Sequence, residues 1–428
     1  MNFLLALIFS INLVYSGDIT FIANEGNYGA SNGSISMIFE DGSVVETEPL
    51  GDVVQALEVY GNKLIVLINN SHKIKIYDIT SNGLAMPGIE ISTNGSGPRD
   101  LVIINDKVYF TNYNSQDIKI FNLYTYSFES PISVNGLPED IEIEPSGNYL
   151  WVTVPHSDSY FSTGNHVLKI DINTNSIVET IDAGPGPQQI AFLNEEVFIS
   201  RTYYDANWST FHGTTKIVDN NFDGISEVEL ADYGMGVACG GSVVKHQNSV
   251  YRSFGGGLAK INQDLSLDNV SIGDFDQSAI YHVEKIGNNF WFAITNFNDI
   301  NQVHVLDENG TNISLYESGI IPGDFAIWID DTELSNSNEL PKDFIIENIY
   351  PNPFNPSTTI SFSLSSYQKI DLSVYNINGK LIQNIYSGYK HPGSYSMEWN
   401  AKAEPSGMYL IKMKSKSFLE TQKVMLVK

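Results

Sequence analysis

The sequence predicts an all-β protein: a seven-bladed β-propeller over residues 18–331, then a small antiparallel Ig-like β-sandwich over 344–428. Three observations lead there. A set of short apolar strands recurs seven times at roughly the 40–50-residue period of a propeller blade. Helical periodicity is nearly absent, with β-branched and aromatic residues dominating the apolar runs. Beyond residue 344 the chain alternates with period two between Asn-Gly, Ser-Gly and Pro-Gly turns.

Taken in order, residues 1–16 carry an apolar run from Phe3 to Val14 with small Ser16 and Gly17 beyond it. That run is too short to span a membrane and reads as a secretory signal peptide cut after Ser16, although its first residues hold no Lys or Arg. No later window reaches the roughly 20 apolar residues of a spanning helix.

The seven lead strands are "ITFIAN" at Ile19, "LIVLIN" at Leu64, "VYFTNY" at Val108, "LWVTVP" at Leu150, "VFISRT" at Val197, "VYRSFG" at Val250 and "FWFAIT" at Phe290, spaced 45, 44, 42, 47, 53 and 40 residues apart. A second strand follows each in register, as in "IKIYDITSNG" and "VHVLDENG". Turns such as "GSGPRD", "GLPED", "GPGPQQ" and "IPGDF" each feed a short innermost strand. The last of these, "FAIWID" from Phe325, has nothing after it to pair with, and the first copy has nothing before it. The chain end therefore completes the first blade and closes the ring. Residues 332–343 are polar and read as a linker.

Charge separates the two parts. The net charge is -27, and residues 341–428 carry +4, which leaves -31 on residues 1–340. A surface that negative lacks the basic stripe nucleic-acid binding requires and repels anionic headgroups. Cys239 is the single cysteine, so no intrachain disulfide forms, and it reads as a small buried residue.

The innermost-strand turns and the loops after the lead strands share one face of a propeller, where ligands bind. Aromatic and amide residues crowd it here: Tyr28, Tyr113, Tyr160, Phe161, Tyr203, Tyr204, Trp208, Phe211 and Phe297 offer flat faces, and Asn69, Arg99, Asn112 and Arg201 offer directed hydrogen bonds. The long loops of blades 4 and 5 are expected to build a wall on one side. "DNNFDG" offers calcium oxygens at Asp219, Asn221 and Asp223, with Glu227 to close a shorter loop, or else a plain Asn/Asp/Gly hairpin. It is not an EF-hand, since Leu230 stands where the closing Glu belongs. Asp100, Asp140, Asp276 and Asp324 sit at axial turns, where such acids mostly satisfy backbone donors. No His-x-x-x-His, Gly-x-Ser-x-Gly or phosphate loop stands out, so no catalytic residue is assigned.

The repeat resembles the YncE-like and surface-layer type of seven-bladed propeller, and its opening "FIANEGNYGASNGSISMI" is similar to a bacterial surface subset that includes cobalamin-capturing propellers. After the linker, "YPNPFNPSTTISFSL", "DLSVYNINGKLI", "PSGMYLIKM" and "QKVMLVK" resemble the C-terminal sorting domain of the type IX secretion system, through Pro351, Asn352, Pro353, Phe354, Asn355, Pro356, Gly379, Lys380, Gly407 and Tyr409. The resemblance implies handling by that secretion machinery, and attachment to surface polysaccharide or release. The proline-rich "YPNPFNP" reads as a stiff hinge holding the tail out for export. The function expected is ligand or partner capture at the cell surface without chemistry, with a cobalamin-like nutrient and an outer-membrane transporter as the specific case. The alternatives are a structural or adhesive surface-layer protein and a metal-dependent propeller lyase or lactonase.

Overall fold

A computed structural model describes residues 17–330 and 344–428, apart from 223, 238–240, 271, 299, 365–367, 378, 391–392 and 416–418. The segments read from sequence as a signal peptide and a linker, together with Cys239 and Asp223, lie outside the described residues. The described residues fall into two compact units, one formed by 17–143 and 150–330 and one containing 344–428.

The lead strands read as continuous apolar runs because both their faces are buried. Leu64, Val66 and Ile68 pack into a core shared with the first blade, while Ile65 and Leu67, pointing the other way, pack into a core shared with the third. The same happens between blades 4 and 5, 5 and 6, 6 and 7, and 7 and 1. Each blade is an antiparallel sheet running from an innermost strand outward, and the innermost strands are Val54–Tyr60, Pro98–Ile104, Ile141–Ile143, Pro187–Leu193, Val243–His246, Ile280–Ile286 and Pro322–Trp328.

Ring closure takes the form the sequence predicts. Pro322–Trp328, from the end of the propeller, pairs with Ile19–Asn24 from its start, with Ile19 opposite Trp328 and Phe21 opposite Ala326. Blade 6 departs from the four-strand pattern: beyond Leu258–Lys260 its outer edge is reduced to the isolated bridges Ile261 to Leu267 and Leu258 to Ile272.

The second unit is a sandwich of a three-stranded sheet (Phe344–Tyr350, Ser357–Leu364, Gly393–Asn400) and a four-stranded one (Leu381–Lys390, Gln368–Asn376, Gly407–Lys414, Leu419–Leu426). Ile360, Phe362, Leu372, Val374, Trp399, Ile411 and Leu426 fill its core. The proline-rich segment is no hinge. It is a corner inside this unit, joining the first two strands, and Phe354 at its centre is buried against Trp399 at 5.2 Å between ring centroids. The Phe354 N–H donates to Met425 O, the Val427 N–H donates to Phe354 O, and Asn352 takes the Met425 N–H at 2.9 Å. These bonds fasten the corner to the last strand.

Candidate functional site

Three of the seven innermost-strand segments open with Pro-x-Asp, and the structure gives that Asp a fixed task. Asp100 and Asp140 accept the backbone N–H of Ile141 and Ile190 in the next blade at 2.9 Å, and Asp324 accepts that of Leu57 at 2.7 Å. Asp276 instead caps the short turn Gln277–Ala279 by accepting from Ser278 N–H. These acids thus satisfy backbone donors, and three of them staple neighbouring blades around the axis.

One residue earlier in each repeat lies the mouth of the axial shaft. Arg99 grips Glu139 with two nitrogens, Nη2 to Oε1 at 2.6 Å and Nε to Oε2 at 3.1 Å, and gives Nη1 to Gln55 Oε1 at 2.7 Å. Its guanidinium lies 4.7 Å from the centre of the Tyr113 ring. Burial alone would raise the Glu139 carboxyl, but the adjacent guanidinium outweighs it and holds the group below the usual carboxylate range. Glu25 completes the mouth, accepting from Tyr281 Oη at 2.8 Å and Gln55 Nε2 at 3.0 Å, and burial raises its carboxyl.

Below the mouth the shaft is acidic. Burial and mutual repulsion push Glu58 and Glu284 up to about 8 and Asp100 to about 6, and raise Asp140, Glu142 and Asp324 well above the usual range. His282, from the blade 7 innermost strand, stands among them with Nδ1 3.3 Å from Gln189 Nε2 of blade 5. Burial lowers its imidazole.

Off-axis, the long loops of blades 4 and 5 meet as a wall. Pro155, His156, Tyr160, Phe161, Tyr204 and Trp208 line a cavity of about 270 Å³, with Thr163, Thr202, Tyr203, Asp205 and Ala206 completing it. The rings form a chain: Tyr113 to His156 at 6.0 Å, His156 to Tyr160 at 4.8 Å, Tyr160 to Phe161 and Phe161 to Trp208 both at 5.8 Å, and Trp208 to Tyr204 at 6.1 Å. Trp208 keeps a positive φ of 63° in a tight turn in which its N–H donates to Asp205 O. That turn holds the indole outward, 62% exposed, beside Tyr160 at 60% and Phe161 at 75%. Burial lowers the His156 imidazole, whose Nδ1 is sealed from solvent without a hydrogen-bond partner.

The structure therefore gathers Tyr160, Tyr203, Tyr204 and Trp208 in one cleft and Arg99 with Tyr113 at the shaft mouth. Tyr203 lies partly turned aside, stacked on Phe211 at 5.8 Å and bonded to Asp232 Oδ1 at 3.0 Å. Others are placed differently. Arg201 is fully buried and gives Nη2 to Ala231 O and Asp232, so it is not on the face. Asn112 is also buried and donates to Phe110 O and Asp117 O, while Asn69 donates to Pro98 O of the next blade at 2.8 Å. Tyr28 is 80% exposed at the blade 1 loop, and Phe297 packs edge-on against Tyr281. Sequence reasoning missed His156, Glu139, Glu25, Tyr281, His282 and Glu284, although Glu139 stands in the quoted "GLPED" turn.

In the Asp219 loop, read from sequence as a calcium loop or a plain hairpin, a lysine takes the aspartate. Lys169 Nζ donates to Asp219 Oδ2 and to Phe222 O, and the other Asp219 oxygen takes the Gly224 N–H at 2.9 Å. Glu227 is exposed on the next strand, opposite Val218 in register. This is a closed hairpin fastened by a buried ion pair.

In the second unit, the corner at Phe354, the turn in which Gly379 N–H donates to Asn376 O, and Tyr409 Oη donating to Pro405 O at 2.8 Å put the sequence motif into one packed body. Residues 348–428 match the model of the secretion system C-terminal sorting domain. The tail is a sorting domain. It marks the protein for the type IX secretion machinery and for the outer cell surface or the medium. No described helix is long and apolar enough to cross a membrane.

The propeller aligns with a protein described as a "putative 6-phosphogluconolactonase" from Bacteroides fragilis, at TM-score 0.53 and 14% identity over 73% of this chain and 98% of that one. One so described from Bacteroides uniformis aligns at 0.51 and 13% over 73% and 99%. A functionally unknown protein from Desulfotomaculum acetoxidans aligns at 0.52 and 14% over 72% and 98%. At such identity the likeness shows the fold alone. Among curated proteins none matches the sequence.

Proposed function

We propose that the exported propeller, of the YncE-like kind, is a non-catalytic binding protein that seats one planar or sugar ring of its ligand in the cleft between blades 4 and 5. The observation that carries this reading is the aromatic chain around the cleft, with Tyr160, Phe161 and Trp208 all exposed around one cavity. Three large rings held open to water side by side leave apolar area that a ligand covers favourably, and their flat faces suit a ring.

The lining does not favour chemistry. Asp205 is its one carboxylate, and that group is held below the usual range by the N–H groups of Ser209 and Asn207, so it is a poor proton acceptor at neutral pH. About 270 Å³ falls just below the range of drug-sized pockets, which fits one ring and leaves a corrin lying across the mouth.

Titration calorimetry of the full chain against cobalamin, cobinamide and a set of mono- and disaccharides tests the reading. Binding by one of them should weaken about tenfold in Trp208→Ala and in Tyr204→Ala, the order expected for one lost ring contact of about 1.4 kcal/mol. Binding left unchanged in both variants, or no heat with any probe, would overturn it.

A further inference from the structure

The blades repeat two positions down the shaft; blade 7 departs at the first with a histidine and shares the recurring Glu at the second. Where three blades carry the stapling Asp, blade 7 carries His282, and its equivalents are Asp100, Asp140, Asp324, Gln189, Ser242 and Ala56. Two residues further on stand Glu284, Glu58 and Glu142, with Val102, Ala191, Val244 and Ala326 completing the level. Neither level contains a lysine or arginine. The nearest guanidinium above them, that of Arg99, is committed to Glu139 and Gln55.

Within this ring His282, Glu284 and Asp324 each offer one ligating atom, and the three atoms lie within 4.8 Å of one another. Atoms at that separation or less share a centre about 2.8 Å away at most, against about 2.0–2.6 Å for bonds to divalent cations, so a shift of a few tenths of an ångström closes the set. Two further observations point inward. Glu284 Oε2 is sealed from solvent and has no hydrogen-bond partner, although its side chain opens on the shaft, and His282 Nε2 lies 3.9 Å from it, beyond hydrogen-bonding distance. Asp324 spends only Oδ2 on the Leu57 N–H and keeps Oδ1 free of that staple.

The geometry points to a divalent cation site in the axial shaft, with His282 Nε2 and carboxylate oxygens of Glu284 and Asp324 as ligands and the remaining positions left to water. A cation there balances carboxylates that nothing else in the shaft balances. One imidazole nitrogen with two carboxylates suits Mn2+ or Zn2+ better than the all-oxygen preference of Ca2+ and Mg2+. Gln189 supplies the orienting contact: with its amide oxygen turned toward the ring it accepts Nδ1–H and leaves Nε2 bare for the metal. The site is independent of the aromatic cleft, and either stands if the other falls.

The test is titration of the tag-free full chain, stripped with chelator, with Zn2+, Mn2+ and Ca2+, followed by calorimetry and by elemental analysis after dialysis. The expected result is one Zn2+ or Mn2+ per chain, Ca2+ at least tenfold weaker, and a loss of at least a hundredfold in affinity in Glu284→Gln and in His282→Ala. Since either variant could misfold, Co2+ loaded into the unaltered protein gives a second reading through visible absorption bands of a nitrogen-and-oxygen site. No ion retained, tightest binding to Ca2+, a Co2+ spectrum like that of the aqueous ion, or stoichiometric binding that survives both substitutions in folded protein would each overturn the assignment.

Discussion

Replacing Lys169 by methionine decides what the Asp219 loop is. The side chains of Lys169 and Asp219 are 4% and 0% exposed, so the pair is a true interior one and not a surface contact that water screens. Lys169→Met keeps the stem's packing and removes the charge, leaving Asp219 with the Gly224 N–H alone and Phe222 O without its donor. Breaking a buried pair from one side costs about 3–5 kcal/mol, because the surviving charge has neither water nor partner. For a domain of this size about 2 °C of melting temperature accompanies each kcal/mol, so the propeller transition should fall by about 6–10 °C. Lys169→Met with Asp219→Asn removes both charges and should recover most of that loss, whereas Asp219→Asn alone should not be benign. Calorimetric melting of each variant, with millimolar Ca2+ and with chelator, gives the answer. A Lys169→Met melt within about 2 °C of the parent, or a parent melt that drops with chelator by as much as the variant does, would refute the ion-pair account and return the loop to calcium.

Outcomes at three further residues follow from contacts of the same kind. Asp140→Ala removes the acceptor for Ile190 N–H and should cost about 1–3 kcal/mol, while Asp140→Asn keeps a carbonyl there and should cost less, as read by denaturant titration. Burial, together with Asp100 and Glu142, raises the Asp140 carboxyl in the folded chain, so its contribution is fully present below the unfolded value near 4 and is lost as pH rises toward the raised one; Asp140→Asn should therefore gain on the parent as pH rises above about 4, and a gain in the opposite direction would contradict the shift. Arg99→Gln strips the half-buried Glu139 of its bidentate partner and should destabilise the propeller by about 1–3 kcal/mol, while Arg99→Gln with Glu139→Gln recovers most of it. Phe354→Ala empties the sorting-domain core beside Trp399 at a cost of about 3–5 kcal/mol, enough to unfold a small sandwich, and fractionation of cells should find the full chain retained inside the outer membrane; normal export would show that the folded corner is not what the machinery requires.

The blades were legible because a propeller writes itself in local signals: an apolar run, a turn, a second run, at a fixed period. The wall was legible too, since the loops after "LWVTVP" and "VFISRT" are longer than their counterparts and rich in aromatics. What escaped depended on direction or on distance. Arg201 and Asn112 end lead strands whose two faces are both buried, so alternation gives no hint which way they point. Lys169 lies 50 residues from Asp219, and nothing near "DNNFDG" announces it. "YHVEK" alternates as an ordinary half-exposed strand does, which hides the fact that its polar side faces a closed shaft. The prolines suggested a hinge because "FIIENIY" pairs with "TTISFSL" across the corner, a long-range pairing that local stiffness cannot show.

A ring of near-equivalent blades also offers an internal control on function. A residue with a structural task recurs, because every blade must be joined to the next: Asp100, Asp140 and Asp324 each hold the following strand by one N–H, and Ser242 does the same for Val283 at 2.9 Å. At that position His282 holds no such staple in any contact described, and Gln189 reaches across the shaft to it instead of to the next blade. Likewise the hairpin strands of blades 4 and 5, Tyr149–His156 with Thr163–Asp171 and Glu196–Tyr204 with Thr210–Asp219, run longer than those of the other blades and carry the exposed rings at their tips. The second departure leaves aromatic area exposed, and at the first the Phe325 N–H of the next blade passes to Glu284, two residues further down the shaft. The physical expectation is that a ring in the cleft covers that area and a cation in the shaft neutralises carboxylates around His282, so loading each site should raise the melting temperature of the propeller while leaving that of the sorting domain where it was.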